Sequence, residues 1–142
     1  MKMIFSKFER GVFVVNVLAV IFNPKDGKIL IGCRINDPHI KRLTWCFPGG
    51  RPAYKKDLEE YLKLEVKKKT SLKIRVKEIV FAKTYPENRQ FLSIYYLAES
   101  ASVNAKAGEK FVEIKWINPK EIKKYFTTSL HPKLYKKITS LK

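Results

Sequence analysis

The stretch that decides the fold runs from Trp45 to Leu72 and reads WCFPGGRPAYKKDLEEYLKLEVKKKTSL. Its apolar start predicts a short strand at Thr44 to Phe47, which Pro48-Gly49-Gly50 ends in a tight turn. A polar loop and one amphipathic segment follow. The other predicted elements are arranged around this succession of strand, glycine turn, loop and helix.

The helix of this stretch carries its own start and stop signals. Asp57 is a favourable N-cap residue, and Glu60 completes a capping-box pattern with it. We expect the helix to end near Thr70 and Ser71. Its apolar side chains recur at helical spacing and are expected to face a sheet: Leu58, Tyr61, Leu62 and Val66.

Strands dominate the rest of the chain. Turn residues at 23–27 connect the first two strands. Pro119 begins a short helix at its first-turn position, and His131-Pro132 precedes a last, basic helix. The predicted strands cover residues 12–22, 28–33, 91–99 and 110–117, and a further strand lies within 72–85 with its centre at 79–81. We therefore predict one domain over residues 1–142, of the α+β class, with a mixed sheet sandwiched between helices (α/β/α).

The charge balance is strongly basic. Lysine and arginine number 30 against 13 acidic residues, which gives a formal net charge of +17. Such an excess attracts polyanions, such as nucleotides, nucleic acid or an anionic membrane face. Solubilising charge spread over every surface explains the same composition without any site, so both interpretations stay open.

The two cysteines and the apolar runs point to an ordinary intracellular protein. Cys33 and Cys46 lack metal-site spacing and lie in apolar segments, so we expect buried free thiols. The longest apolar run, Val12 to Phe22, is interrupted by Asn16 and is too short to span a bilayer. The N-terminus has no signal-peptide pattern, and we predict a cytoplasmic protein without a membrane partner.

The order of elements and the W-x-F-P-G-G segment resemble the Nudix (MutT-like) family. The box of that family is G-x5-E-x7-R-E-U-x-E-E-x-G-U, where U is a bulky aliphatic residue. Counted from Gly50, its second half falls on Leu64 to Leu72, with matching spacing and apolar positions. The preceding hairpin, a strand that ends in Glu99 and the KWI-NPKEI junction extend the resemblance over nearly the whole chain.

The resemblance implies a hydrolase that cleaves a nucleoside diphosphate linked to another group, with Mg²⁺ as cofactor. The box places three carboxylates at i, i+3 and i+4 on one helix face, where they hold the metal. Here these three positions are Glu65, Lys68 and Lys69. The box is degenerate elsewhere too, since its glutamate, arginine and glycine positions are Lys56, Leu64 and Ser71.

Three interpretations follow from this box. In the first, Glu65 and Glu99 are catalytic and hold the metal of an active hydrolase, together with backbone carbonyls near Gly50. In the second, the domain is catalytically silent, no metal is needed, and Lys68 and Lys69 contact phosphate directly. In the third, the helix face is only solvated, the site is vestigial and the domain is a scaffold or a partner-binding domain.

One branch of the family, GDP-mannose mannosyl hydrolase, resembles the chain in R-x-N-x-P ahead of the box and in an arginine after Gly-Gly. The matching residues are Arg34, Asn36, Pro38 and Arg51. That likeness implies arginines that neutralise a diphosphate. The implied phosphate-binding set is therefore Arg34, Arg51, Lys68, Lys69 and the Gly49-Gly50 turn.

The leading hypothesis is a Nudix-family protein that binds a nucleotide or nucleoside diphosphate derivative, with weak or no Mg²⁺-dependent hydrolysis. Its alternatives are an active hydrolase of such a compound, for example a nucleotide sugar, and a non-catalytic RNA-binding module. The net charge and the basic C-terminal tail favour the RNA alternative. A homodimer is also compatible with the resemblance, since many Nudix proteins dimerise.

Overall fold

The structure is a computed structural model and describes residues 10–34 and 44–142. In this part of the chain, seven strands form one sheet, and a short 3-10 turn at Pro119–Glu121 precedes the second of three helices. No helix in the described ranges is long and apolar enough to cross a membrane. The elements are β1 Val14–Asn23, β2 Lys28–Cys33, β3 Trp45–Cys46, β4 Gly49–Gly50, α1 Leu58–Thr70, β5 Ile74–Tyr85, β6 Asn88–Ser100, β7 Glu113–Ile117, α2 Ile122–Tyr125 and α3 Pro132–Thr139.

The sheet is mixed because β1 has partners of both directions. It runs parallel to β6 and antiparallel to β2 and β4. The strand order is β3-β2-β1-β6-β5, with β4 on β1 and β7 on β2. Along one edge of β1, its C-terminal end pairs with the hairpin strand β2, and its middle pairs with the two glycines of β4. This division brings the glycine turn onto the central strand of the sheet.

Two hydrophobic cores lie on opposite faces of the sheet. Val17, Ala19 and Ile21 of β1 pack with the apolar face of α1. Val20 and Phe22 point to the other face, where α2 and α3 cover them. This alternation follows from the two-residue period of a strand. The predicted α+β class and the predicted mixed sheet between helices are therefore confirmed.

Helix α1 is fixed at both ends. The Asp57 side chain accepts a hydrogen bond from the Glu60 N–H at 2.8 Å, as the capping pattern predicts. At the other end, Ser71 adopts φ 63° and closes the helix, as Ser71 N–H donates to Lys67 O. The loop before β7 then supplies N–H groups to the last three carbonyls: Glu109 to Lys68, Gly108 to Lys69 and Lys106 to Thr70.

This capping loop explains why β7 begins later than predicted. The alternating pattern from Lys110 to Ile117 predicts a strand over that whole range, but β7 starts at Glu113. The preceding residues belong to the loop that caps α1. Lys110 has φ 67°, a left-handed conformation that a continuous strand does not allow. Backbone hydrogen bonding to the helix therefore overrides the local strand pattern.

Candidate functional site

A cavity of about 360 Å³ opens where β4 meets α1 and extends under the segment between α2 and α3. Its lining falls into two groups of side chains, which we name by their chemistry. The basic part consists of Arg34, Arg51, Glu65, Lys69, Glu109 and Lys110, beside Gly49, Gly50 and Tyr61. The aromatic part consists of Phe47, Tyr85, Phe91, Tyr95 and Phe126, with Asn16 and Ser93 among them.

The two glycines of β4 allow close contacts on two sides, Gly49 with strand β1 and Gly50 with helix α1. A Cβ atom on Gly49 would lie 2.0 Å from the carbonyl oxygen of Val17, and one on Gly50 would lie 2.5 Å from the hydroxyl of Tyr61. No side chain fits at Gly49 without displacing the central strand. The Trp-x-Phe-Pro-Gly-Gly motif therefore places a backbone carbonyl, that of Gly49, next to the cavity.

Lys69 is buried with its amine between two oxygen groups. Its Nζ donates a hydrogen bond to Gly49 O and lies 3.6 Å from Glu65 Oε2. Only 9% of the Lys69 side chain is exposed. Burial lowers the pKa of Lys69, and the nearby Glu65 carboxylate partly opposes that effect. The amine is thus held at one position by a carboxylate and a carbonyl.

Lys68 occupies a different environment. Its Nζ lies 3.6 Å from Glu65 Oε1, but 59% of its side chain is exposed. Lys68 is not among the residues that line the cavity. Of the two lysines predicted to contact phosphate, the structure brings only Lys69 together with Arg34, Arg51 and the glycine turn.

The pKa of Tyr61 is shifted by burial and by the charged side chains of the basic part. Burial, together with the carboxylates of Glu65 and Glu109, raises the pKa of Tyr61 to about 12, while Arg51 opposes the shift. The phenol therefore keeps its proton at every physiological pH. Four cationic and two acidic side chains of the described residues line this part, which leaves an excess of positive charge.

Lys110 and Glu109 line the basic part of the cavity, although no sequence motif predicts them as site residues. They follow Gly108 in the loop that caps α1, and their place in the cavity depends on backbone hydrogen bonds to that helix. No motif marks those bonds. Lys110 adopts a left-handed backbone conformation, which costs a non-glycine residue about 1 kcal/mol. Residues in such conformations concentrate at functional sites.

The segment between α2 and α3 covers the aromatic part and is held in place by hydrogen bonds at Ser129. The Ser129 N–H and Oγ each donate to the carboxylate of Glu87 at 2.7 Å. Its carbonyl accepts a hydrogen bond from Lys83 Nζ at 3.3 Å, and the same amine lies 3.8 Å from the centre of the Tyr85 ring. The β5–β6 turn therefore holds the segment between α2 and α3 over the cavity.

The donor set at Glu65 does not suit a divalent metal. Mg²⁺ requires oxygen ligands in octahedral geometry. Glu65 and the Gly49 carbonyl are oxygen donors, but the amine of Lys69 contacts both of them. Within residues 10–34 and 44–142, no three His, Cys, Asp or Glu side chains are grouped to hold a metal ion. With Lys69 in this position, the residues present do not fit Mg²⁺.

Glu99 does not join Glu65, contrary to the two-carboxylate site that the sequence suggests. Its carboxylate pairs with Arg75 at 3.2 Å and with Lys77 at 3.7 Å. Gly50 is level with Ile94 across β1, and the strand from Ile94 to Glu99 spans about 17 Å. Glu99 is accordingly absent from the cavity lining.

The R-x-N-x-P pattern and the predicted nucleic-acid binding are only partly addressed by the described residues. Asn36 and Pro38 of the R-x-N-x-P pattern lie outside the described residues, whereas Arg34 lines the cavity. Nucleic-acid binding stays a prediction. Two lysines in the last third of the chain lie over tyrosine rings: Lys115 Nζ is 5.4 Å from the centre of the Tyr125 ring, and Lys123 Nζ is 4.1 Å from the centre of the Tyr135 ring.

Comparison with known proteins agrees with this architecture. The sequence model of the NUDIX domain matches residues 12–138. The chain therefore belongs to the Nudix family, as its glycine turn and helix predict. No match was found among curated proteins.

Solved structures resemble the chain over most of its length. A NUDIX hydrolase from Nitrosomonas europaea matches with a TM-score of 0.70 at 14% identity, and the match covers 92% of this chain and 70% of the hydrolase. A MutT protein from Methanosarcina mazei Go1 has a TM-score of 0.67 at 19% identity, with coverage of 91% and 94%. An ADP-ribose pyrophosphatase from Streptococcus suis has a TM-score of 0.59 at 18% identity, with coverage of 75% and 74%. At these identities the likeness shows the fold alone.

Proposed function

We propose that this Nudix protein binds the phosphates of a nucleotide or nucleoside diphosphate derivative in the basic part of the cavity without a divalent metal. We further propose that it hydrolyses such compounds weakly or not at all. One observation carries the proposal: the amine of Lys69 lies between Glu65 and the Gly49 carbonyl. A cation tethered to the protein is thus present where the family box places a metal ligand.

The surrounding charges suit a diphosphate. Arg34, Arg51 and Lys110 line the same part of the cavity as Lys69. Guanidinium groups bind phosphate oxygens through paired N–H donors, and an ammonium binds them as a compact charge. Among the described residues that line this part, only Glu65 and Glu109 oppose these cations, so the cavity favours an anionic ligand.

The same arrangement disfavours metal-dependent hydrolysis. Two unit charges at 4 Å interact by about 4 kcal/mol at an effective dielectric constant near 20, so an ammonium repels a divalent ion by about 8 kcal/mol there. Glu65 is already engaged by Lys68 and Lys69. At the three metal-ligand positions of the box, Glu65 is the one carboxylate, and both of its oxygens have a lysine partner, so none is left to activate water or to hold Mg²⁺.

The class of ligand is supported by the family and by its members. The structure from Streptococcus suis is described as an ADP-ribose pyrophosphatase, and ADP-ribose is a nucleoside diphosphate joined to a sugar. A cavity of about 360 Å³ is within the usual size of small-molecule sites. We therefore place the ligand of this protein in the same chemical class.

A thermal-shift panel tests the proposal. Nucleoside mono- and diphosphates, ADP-ribose and nucleotide sugars are each added in EDTA and in Mg²⁺, and the melting temperature is recorded. The variants are Lys69→Ala and, as a matched control on the same helix, Lys68→Ala. Lys68 pairs with the same carboxylate but is exposed and lies outside the cavity lining.

We expect diphosphates to raise the melting temperature in EDTA, and Mg²⁺ to add nothing. Lys69→Ala should lose this shift, and Lys68→Ala should keep it. Stabilisation that requires Mg²⁺, or rapid Mg²⁺-dependent release of phosphate or a nucleoside monophosphate, would contradict the proposal and restore an active hydrolase.

A further inference from the structure

Asn16 is a polar residue in the middle of an apolar strand. It interrupts the run from Val12 to Phe22, and its neighbours Val15 and Val17 are both aliphatic. The structure shows that Asn16 lines the aromatic part of the cavity. Within the described part of the chain, no hydrogen bond satisfies its carboxamide. A side chain with two donors and one acceptor oxygen is therefore presented to whatever fills the cavity.

Three hydroxyl groups lie on the same face of the sheet. Ser93 is the register partner of Asn16 across β1 and β6. Ser93 Oγ donates to the Tyr85 hydroxyl at 3.1 Å, and the Tyr85 and Tyr95 hydroxyls are 3.2 Å apart. These two contacts use two of the three O–H donors. Because the three side chains form no other hydrogen bond among the described residues, one phenolic O–H remains unused.

The walls around these polar groups are aromatic. The Phe47 ring lies edge-on to Phe126, with 5.1 Å between centroids, and 6.1 Å from Tyr95. Phe91 lies on β6 next to Ser93 along the same face and also lines the cavity. Flat, apolar walls with a few fixed polar groups are the usual surroundings of a bound heterocycle.

We propose that the aromatic part of the cavity binds the base of the nucleotide and recognises a lactam edge, in which a ring carbonyl adjoins a ring N–H, through Asn16 and the unused phenolic hydroxyl. The proposal rests on the proposed function, since it assumes that phosphates occupy the basic part. Guanine, hypoxanthine and uracil carry such an edge, whereas adenine and cytosine carry an amino group beside a ring nitrogen.

The preference follows from counting donors and acceptors. The Asn16 carboxamide can pair with either type of edge, because its oxygen accepts and its amino group donates. The additional O–H distinguishes the two. A carbonyl oxygen accepts two hydrogen bonds, one from the carboxamide and one from the phenol, while a ring nitrogen accepts one. With an amino base, the phenolic hydroxyl would remain buried without a partner.

Both phenols keep their protons at neutral pH. Burial raises the pKa of Tyr85 and, more strongly, that of Tyr95, and the hydrogen bond that Ser93 donates opposes the shift of Tyr85. The hydroxyl group therefore remains a donor throughout the physiological range. One phenolic O–H is therefore available to a ligand, as the hydrogen bonds among Ser93, Tyr85 and Tyr95 indicate.

Two matched pairs of nucleotides test the proposal. Inosine and adenosine diphosphates differ at the lactam edge of a purine, and uridine and cytidine diphosphates differ at the same edge of a pyrimidine. Dissociation constants are measured by calorimetry in EDTA, with inorganic pyrophosphate as the ligand without a base. The variant is Asn16→Asp, and the control is Asn104→Asp, which changes charge equally at an exposed loop residue outside the cavity lining.

We expect wild-type protein to bind each lactam nucleotide about tenfold more tightly than its amino partner, as the cost of an unpaired buried donor implies. Asn16→Asp should abolish or reverse this ratio, because an ionised carboxylate accepts hydrogen bonds but donates none. The added negative charge weakens both members of a pair alike, so the ratio isolates base recognition. Asn104→Asp should leave the ratio unchanged.

The outcomes separate this proposal from the proposed function. Equal binding within both pairs, tighter binding of the amino nucleotides, or a ratio that survives Asn16→Asp would overturn base recognition while diphosphate binding stands. If neither pyrophosphate nor any nucleotide binds, the proposed function fails and base recognition falls with it.

Discussion

Replacing Lys69 by glutamate should turn the site into a metal site. Lys69→Glu removes the buried ammonium and places a second carboxylate one helical turn from Glu65, beside the Gly49 carbonyl. Three oxygen groups of the protein would then face one point, and waters would complete the octahedral set that Mg²⁺ requires. We expect the variant to gain stability from Mg²⁺, whereas the wild-type protein should gain none.

The magnitude follows from the contact between Lys69 and Glu65. Their charged atoms are 3.6 Å apart, which at an effective dielectric constant near 20 corresponds to an attraction on the order of 4 kcal/mol. The substitution converts it into a repulsion of similar size, so the metal-free variant should be less stable than wild type. Mg²⁺ at ten times its dissociation constant should restore about 1.4 kcal/mol. For a domain of this size, that raises the melting temperature by about 5 °C.

The assay is a Mg²⁺ titration followed by thermal unfolding, starting from EDTA. Lys67→Glu is the matched control, because it makes the same charge change at an exposed position of the same helix. We expect it to show no Mg²⁺-dependent shift. An equal shift in the wild-type protein, or none in Lys69→Glu, would refute the conclusion that the Lys69 amine occupies the position of the metal.

Three further predictions concern the cavity and its frame. Because burial lowers the pKa of Lys69 below its ordinary 10.5, diphosphate binding should weaken as pH rises through that lowered pKa, and Lys69→Arg should remove the dependence in a calorimetric titration. Gly49→Ala should reduce the free energy of unfolding in urea by about 3 kcal/mol, since its Cβ would lie 2.0 Å from Val17 O; an unchanged value would contradict that contact. Partial burial tends to raise the pKa of Glu87, but hydrogen bonds from Ser129 bring it below 4.5. Its contribution, below about 1 kcal/mol, is therefore present above pH 4.5 and lost as pH falls through the folded pKa, and thermal unfolding of Glu87→Gln should lack this loss.

The parts of the fold that local chemistry dictates were predictable from the sequence. The turn before β2, the Asp57 cap and the apolar face of α1 each depend on residues close together in the chain. The spacing of the family box predicted that α1 follows the glycine turn of β4. The late start of β7 depended instead on hydrogen bonds between the 106–109 loop and the end of α1, which no local pattern indicates.

The site was predictable in composition but not in arrangement. The sequence identified Arg34, Arg51 and Lys69, which the structure brings together. It treated Lys68 as equivalent to Lys69, although their side chains are 59% and 9% exposed, because neighbouring helix positions differ in burial only once the helix is packed. Glu99 matched a family position by its place at a strand end, but the sheet register carries it away from Glu65.

The most direct test of the central claim is the dissociation constant of inosine diphosphate, measured by calorimetry in EDTA and again in Mg²⁺. For the wild-type protein, we predict binding in EDTA that Mg²⁺ does not strengthen. For Lys69→Gln, we predict binding weaker by about tenfold or more, as expected for loss of a charge-assisted hydrogen bond. Binding that appears only with Mg²⁺, or an affinity unchanged by Lys69→Gln, would contradict the account.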